Sequence, residues 1–350
     1  MKKEYDILKV VAILMVLVSH STYYIISTKY GGIDYQQYLE QNMSLVLYKI
    51  FDKVREILYY FHMPMFMALS GAFYYLQVKR DKWINFMLIL KQKIKRLVIP
   101  FVIFTLLYVF PIKYFSNYFV YTTFSRAVLG QLFLIGNNHL WYLFTLFIIF
   151  IISFFTLKRE IKFSTIIIFY VLHILSYKVD PLLFKAPLQF LFYFSMGFAF
   201  ESKREKYNQF ISKKRNYVLI LSKVFVLITL LNFNLKYTYT LVSKILVELL
   251  AILGSLLTYS ISYLISRKEH SGSSYFFKLI LMNGLGIYIF SDPLNYLILY
   301  ISYSLNSQFM FSPFGIIFMV VLRFFITLFV SLIVTVIFKK CFKKYAWLVN

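Results

Sequence analysis

Ten apolar runs, most of them about as long as a bilayer's hydrocarbon core requires of a helix, leave this chain few folds to choose from. They fall near residues 7–27, 55–77, 97–116, 139–157, 161–177, 186–201, 216–233, 238–265, 275–301 and 313–338. Hydrophobic residues make up 60% of the sequence and charged residues only 15%, a balance with which no soluble domain keeps its surface wet. The apolar surface must therefore face lipid. The expected fold is all-α: a polytopic membrane bundle of about ten transmembrane helices, forming one membrane-embedded domain over residues 1–350. The first run is followed by no small-residue cleavage site, so it reads as a retained helix rather than a signal peptide.

The formal charge of +24 tests this count. Its lysines and arginines come in short clusters between the apolar runs, which is the signature of membrane topology and excludes nucleic acid as the partner. Basic residues crowd the N-terminal end, 78–96, 158–162 with Arg159, 202–215 with Arg204 and Arg215, 266–274 and the tail after 338. The alternate loops hold fewer: Lys29, Lys49, Lys53, Lys113, Arg126, Lys178, Lys185 and Lys236. Cytoplasmic loops collect the positive charge, so both termini are expected in the cytosol. Gaining or losing one span in the middle inverts every later loop. The stretch 117–138 reads as a re-entrant or interfacial piece. Tyrosines at span ends, such as Tyr23-Tyr24, Tyr59-Tyr60, Tyr74-Tyr75 and Tyr237, read as an interfacial aromatic belt. Cys341 is the single cysteine and has no internal disulfide partner.

Ionisable groups inside a span are costly and become functional candidates by default. Lys9 and His20 sit eleven residues apart in the first run, about three helical turns, so they share a face roughly 16 Å apart along the axis. Asp6 lies three residues before Lys9 and can pair with it. Snorkelling accounts for Lys9 alone, and a helix–helix hydrogen bond accounts for His20 as readily as catalysis does. A second constellation runs from Phe61 to Gly71. There Pro64 frees a backbone carbonyl, Ser70 and Gly71 permit close helix approach, and His62 adds another imidazole. Third is the basic run Lys91 to Pro100, with Lys93, Lys95 and Arg96, which serves as a positive flank for anionic lipid and also suits a phosphate-bearing ligand. Fourth is Asn138-His139-Leu140-Trp141-Tyr142-Leu143, where belt residues are the default explanation.

Taken in order, these pieces resemble the membrane acyltransferase family 3, which includes many bacterial O-acetyltransferases of surface polysaccharide and peptidoglycan. The resemblance covers nearly the whole chain. It rests on Asp6-x-x-Lys9-x10-His20, the Phe61–Gly71 run with His62, Lys95-Arg96-Leu97-Val98-Ile99-Pro100-Phe101, His139-Leu140-Trp141-Tyr142-Leu143-Phe144, and the run from Asn283 to Pro293. Relatives often carry a histidine just before that last proline, whereas this chain has Ser291-Asp292-Pro293, so the resemblance assigns no role there.

The resemblance implies transfer of an acyl group, commonly acetyl from acetyl-CoA, to a sugar hydroxyl of a surface polysaccharide or its lipid-linked precursor. A hydroxyl is a poor nucleophile toward a thioester and needs a positioned base, a task suited to an imidazole. His20, Lys9 and His62 are thus the expected catalytic residues. His20 removes the acceptor proton or briefly carries the acyl group, Lys9 holds its orientation or the donor's charge, and His62 assists acceptor binding or relays a proton. Lys93, Lys95 and Arg96 are expected on the coenzyme A phosphates, Asp6, His139 and Trp141 on the substrate, and no metal is expected. A bacterial plasma membrane is the expected location, with lipids and a carbohydrate acceptor as partners. The rival class is a transporter or flippase for a lipid-linked saccharide, against which stands the lack of an inverted repeat. A membrane scaffold explains the spans but leaves Lys9, His20 and His62 without purpose.

Overall fold

A computed structural model describes the chain except residues 1, 27, 29, 40–42, 81–84, 136–137, 159–160, 215, 239 and 269–273. Lys29, Lys82, Arg159 and Arg215, counted in the charge alternation, lie outside the described residues. The molecule is 85% helix. Hydrocarbon offers backbone N–H and C=O groups no partners, so each apolar run satisfies its own by coiling. The helices are α1 Lys3–Ser21, α2 Met43–Lys79, α3 Phe86–Phe115, α4 Phe124–Leu132, α5 Trp141–Thr156, α6 Phe163–Ser176, α7 Leu182–Lys213, α8 Asn216–Leu235, α9 Thr240–Ser266, α10 Tyr275–Phe311 and α11 Pro313–Cys341. Every expected span coincides with one of them. Six, namely α3 and α7 to α11, are long and apolar enough to cross a membrane, and α5 and α6 are apolar but shorter. In α8 only 17% of the apolar window is buried, so apart from residues such as Val218 and Leu221 its hydrophobic side chains are left for lipid.

Helix α1 carries too much charge to stand alone in lipid, and it is buried at the centre, packed against α2, α9, α10 and α11. It stops at Ser21, short of residue 27. There the hydroxyls of Ser19, Ser21 and Thr22 bond back to carbonyls three or four residues earlier. The following segment folds into a cap. Two isolated antiparallel bridges, Ile25 with Asp34 and Thr28 with Gly31, close a turn in which Gly31 adopts φ +134°. A Cβ on Gly31 would lie 2.6 Å from the Val120 backbone nitrogen, so only glycine lets this turn dock there. Residues 117–135 form a bend and the short helix α4 under this cap, and 136–137 of the stretch 117–138 lie outside the described residues. Tyr23, Tyr24, Tyr35, Tyr48, Tyr118 and Tyr296 are buried together in it. Tyr60 and Tyr74 are buried as well, so the aromatic-belt reading fits Tyr237 on the surface but not these.

Prolines shape the two helices nearest the centre. Each π turn of α3, Ile94–Val98 and Thr105–Val109, comes just before a proline, Pro100 or Pro111, whose missing N–H breaks the α-helical ladder. In α10, Pro293 leaves the carbonyl of Ile289, four residues earlier, without its helical donor. Lys113, expected in a loop, is fully buried near the end of α3, where its ammonium donates to Gln131 Oε1 at 3.2 Å. Arg204, expected in a basic loop, is buried between Glu4 and Glu201 and ties α7 to α1.

The closest helix approach is between α2 and α7. A Cβ on Gly71 would meet the Phe194 carbonyl oxygen at 1.9 Å, and one on Gly197 would meet that of Ala68 at 1.8 Å. Backbone lies against backbone on both sides, so neither contact can relax by turning a side chain. Gly71→Val is therefore expected to force the pair apart at a cost of about 1–3 kcal/mol or more. Thermal unfolding in detergent, followed by size-exclusion chromatography, should show a lower midpoint or no folded monomer. An unchanged midpoint would mean that the two helices do not meet here.

Candidate active site

His20 reaches the centre because α1 ends one residue later, which puts its ring where the bundle meets the cap. Its Nδ1 lies 2.7 Å from Asp292 Oδ1. That separation is close enough for a charge-assisted hydrogen bond, although the approach is not that of a straight N–H···O bond. The Tyr23 hydroxyl donates to the same oxygen at 3.2 Å, and His139 Nδ1 stands 3.6 Å from Asp292 Oδ2. Asp292 is 3% exposed, and a carboxylate so buried persists only with such partners.

The same proline that bends α10 fixes the second imidazole. His139 Nε2 donates at 3.0 Å to the Ile289 carbonyl, the one that Pro293 leaves without a helical donor. The Tyr288 hydroxyl in turn donates to the His139 carbonyl, and the Tyr108 hydroxyl donates to the Phe290 carbonyl at 2.7 Å. His139 is thus held through Nε2, with Nδ1 aimed at the carboxylate. His20 is held through Nδ1, which leaves Nε2 as the nitrogen turned away from Asp292. Its side chain is 19% exposed, against 4% for that of His139, so His20 is the more accessible base of the two.

Two cavities approach this layer. A polar chamber of about 310 Å³ is lined by His20, Tyr23, Tyr59, His139, Trp141 and Asp292, among others. A mostly apolar cavity of about 360 Å³ includes Lys9, Met63, Ser70, Tyr142, Tyr288 and Ser291 in its wall. Consecutive residues Ser291 and Asp292 face different cavities, so α10 forms part of the partition between them at the carboxylate.

The residues singled out in the sequence divide accordingly. His139 and Trp141 join His20 in the polar chamber. Lys9 shares the helix of His20 but opens on the apolar cavity, so the two do not meet in one chamber. Its ammonium donates to the Leu281 carbonyl at 3.1 Å rather than pairing with Asp6, whose Oδ1 is buried without a hydrogen-bond partner. Asp6 lies near the far end of α1 and borders neither cavity. His62 is buried with Nδ1 2.7 Å from the Leu58 carbonyl. It reaches the chamber through Tyr59, whose ring centroid is 4.9 Å from that of His62 and 6.2 Å from that of His20. Lys95 and Arg96 are exposed on the first π turn of α3. The Lys95 ammonium is 5.0 Å from the Trp347 ring, and that of Lys93 is 3.5 Å from the Phe150 ring. Trp347 belongs to the short segment Lys343–Val349, and the next residue, Asn350, reaches the wall of the apolar cavity.

Sequence reasoning passed over Asp292, Tyr23 and Arg323, all of which are central. The signal was present: an acid beside a proline, and an arginine, each inside an apolar run. A second buried pair lies apart from both cavities. His173 Nε2 is 3.3 Å from Glu248 Oε1, and Tyr170 donates to Glu248 Oε2 at 2.9 Å, which joins the short α6 to α9.

No curated protein and no solved structure matches the chain. A family model described as an acyltransferase domain, that of acyltransferase family 3, matches residues 2–340 and so takes in α1 through nearly all of α11. With every residue that borders His20 and Asp292 inside that match, the chain belongs to acyltransferase family 3, a family of membrane acyltransferases.

Proposed function

We propose that this protein is an O-acyltransferase of a bacterial plasma membrane that moves an acetyl group from acetyl-CoA to a hydroxyl of a surface polysaccharide or its lipid-linked precursor. The observation that carries the reading is the His20–Asp292 pair on a polar chamber that α10 separates from an apolar cavity. In this reading one substrate approaches from each side, and the thioester passes the partition at Ser291 to reach the imidazole. Ten crossings, with the residues before α1 and after α11 in the cytosol, accord with a helix at each of the ten apolar runs and with the alternation of basic loops.

In this reading the donor enters from the cytosolic side. Lys93, Lys95 and Arg96 attract its phosphates, and its thioester arm follows the apolar cavity past Lys9. The sugar enters the polar chamber, where Trp141 offers an apolar face, His139 borders the carboxylate and braces α10 through the Ile289 carbonyl, and His62 supports the Tyr59 wall. His20 Nε2 takes the proton of the acceptor hydroxyl. As that oxygen bonds to the acyl carbon, the C–S bond breaks, and the proton passes to the departing thiolate. Asp292 stabilises the imidazolium in between.

The test compares NMR spectra of purified surface polymer from cells with and without the intact gene. The expected result is loss of the ester-linked acetyl signals with the amount of polymer unchanged. Loss of the polymer itself would favour export of a lipid-linked saccharide and overturn the enzyme.

A further inference from the structure

Arg323 lies on α11, fully buried, and the reaction just described gives it no task. Its three guanidinium nitrogens are all engaged. One donates to the His20 carbonyl at 2.9 Å, a second to the Tyr23 carbonyl at 2.6 Å, and Nε to Asn295 Oδ1 at 3.0 Å. The guanidinium also stands 4.8 Å from the centre of the Tyr23 ring.

These partners are unusual in what they belong to. The last four carbonyls of a helix have no intrahelical donor and need a partner from elsewhere. At the end of α1, the Thr22 hydroxyl satisfies the Ser19 carbonyl, and Arg323 satisfies that of His20. Asn295 sits three residues beyond Asp292, almost one turn further along α10. One planar group therefore holds the backbone of the base and the helix that carries its carboxylate.

The geometry points to Arg323 as a positioning residue that sets the separation between His20 and Asp292 by tying the end of α1 to α10 through Asn295. Tyr23 completes the bracket, with its ring against the guanidinium and its hydroxyl on Asp292 Oδ1. The inference rests on the acyl-transfer reading for its kinetic consequence, but not for the structural one. Lysine keeps the charge at this position yet cannot direct three bonds from a rigid plane.

The experiment uses full-length protein in proteoliposomes with labelled acetyl-CoA and purified polymer as acceptor. Arg323→Lys is expected to lower kcat on the order of 10²-fold, as a misplaced base does, while KM for acetyl-CoA stays unchanged. Asn295→Ala, which spares both carbonyl bonds, should lower kcat by a smaller factor and serves if the first variant fails to fold. Combining Arg323→Lys with Asp292→Asn should cost no more than Asp292→Asn alone. Multiplying losses, or variants that reduce only the yield of folded protein while its turnover stays at the wild-type value, would overturn the inference. Hydrogen–deuterium exchange over residues 17–26 gives a readout independent of activity. Exchange there should quicken in both variants even if the wild type transfers no acyl group, a result that would sink the acyl-transfer reading alone. Unchanged exchange would overturn the strut itself.

Discussion

Replacing His20 with alanine is expected to abolish acyl transfer while the bundle still folds. The imidazole is the accessible base of the chamber, and no other side chain there offers a ring nitrogen turned away from a carboxylate: His139 spends Nε2 on the Ile289 carbonyl. General-base catalysis contributes about 10²–10⁴-fold, so the loss should be at least of that order. Little packing is lost, because the ring lines a cavity and meets Tyr23 and Tyr59 only at centroid separations of 6.1 and 6.2 Å. His20→Gln is the stricter variant, since its amide can still donate to Asp292 but cannot take up a proton at neutral pH. Transfer from labelled acetyl-CoA, divided by the amount of folded protein on size exclusion, is the measurement. Wild-type turnover by His20→Gln would remove His20 from the chemistry.

Much of this could be read from the sequence, and the reasons for success and failure are physical. Apolar length reports helices well because a bilayer leaves a backbone no alternative, and each of the ten runs does form one. Helix ends are less legible: the end of α1 at Ser21 is held by Arg323, which bonds the His20 carbonyl from about 300 positions away in the chain. His20, His139 and Trp141, which line one chamber, were legible because an imidazole or an indole beside a span end stands out against hydrocarbon. Asp292 was less legible because the resemblance assigns its position no role, although an acid inside a span needs a partner and a reason to be there. Lys9 and His20 share a helix face, as their spacing requires, yet spacing along one helix does not reveal that the wall at Ser291 and Asp292 divides the space in front of them. Lys113 and Arg204 were read as loop charges, since a sequence shows that a lysine is near a span end but not that Gln131 or Glu4 awaits it.

The sharpest consequence of the geometry concerns Asp292→Asn. Asparagine keeps the shape of the side chain but only one acceptor oxygen, and because Tyr23 and His20 share Oδ1, an amide that turns its NH2 toward His20 also gives up the bond from Tyr23. What changes is the preference of the neighbouring ring. A carboxylate holds the proton of His20 on Nδ1 and leaves Nε2 bare for the substrate, whereas an amide that turns its NH2 toward Nδ1 moves that proton to Nε2 and blocks the base. The carboxylate is also the counter-charge for the imidazolium that forms as the hydroxyl gives up its proton, and the amide provides none. Both effects act on the reacting state and not on binding, so kcat should fall on the order of 10²–10⁴-fold with KM for acetyl-CoA little changed. His139→Ala should cost less, because His139 stands 3.6 Å from the carboxylate and His20 only 2.7 Å. Should Asp292→Asn turn over at the wild-type rate, the His20 ring would need no partner to fix its proton, and the close pairing at this wall would serve only to bind α1 to α10.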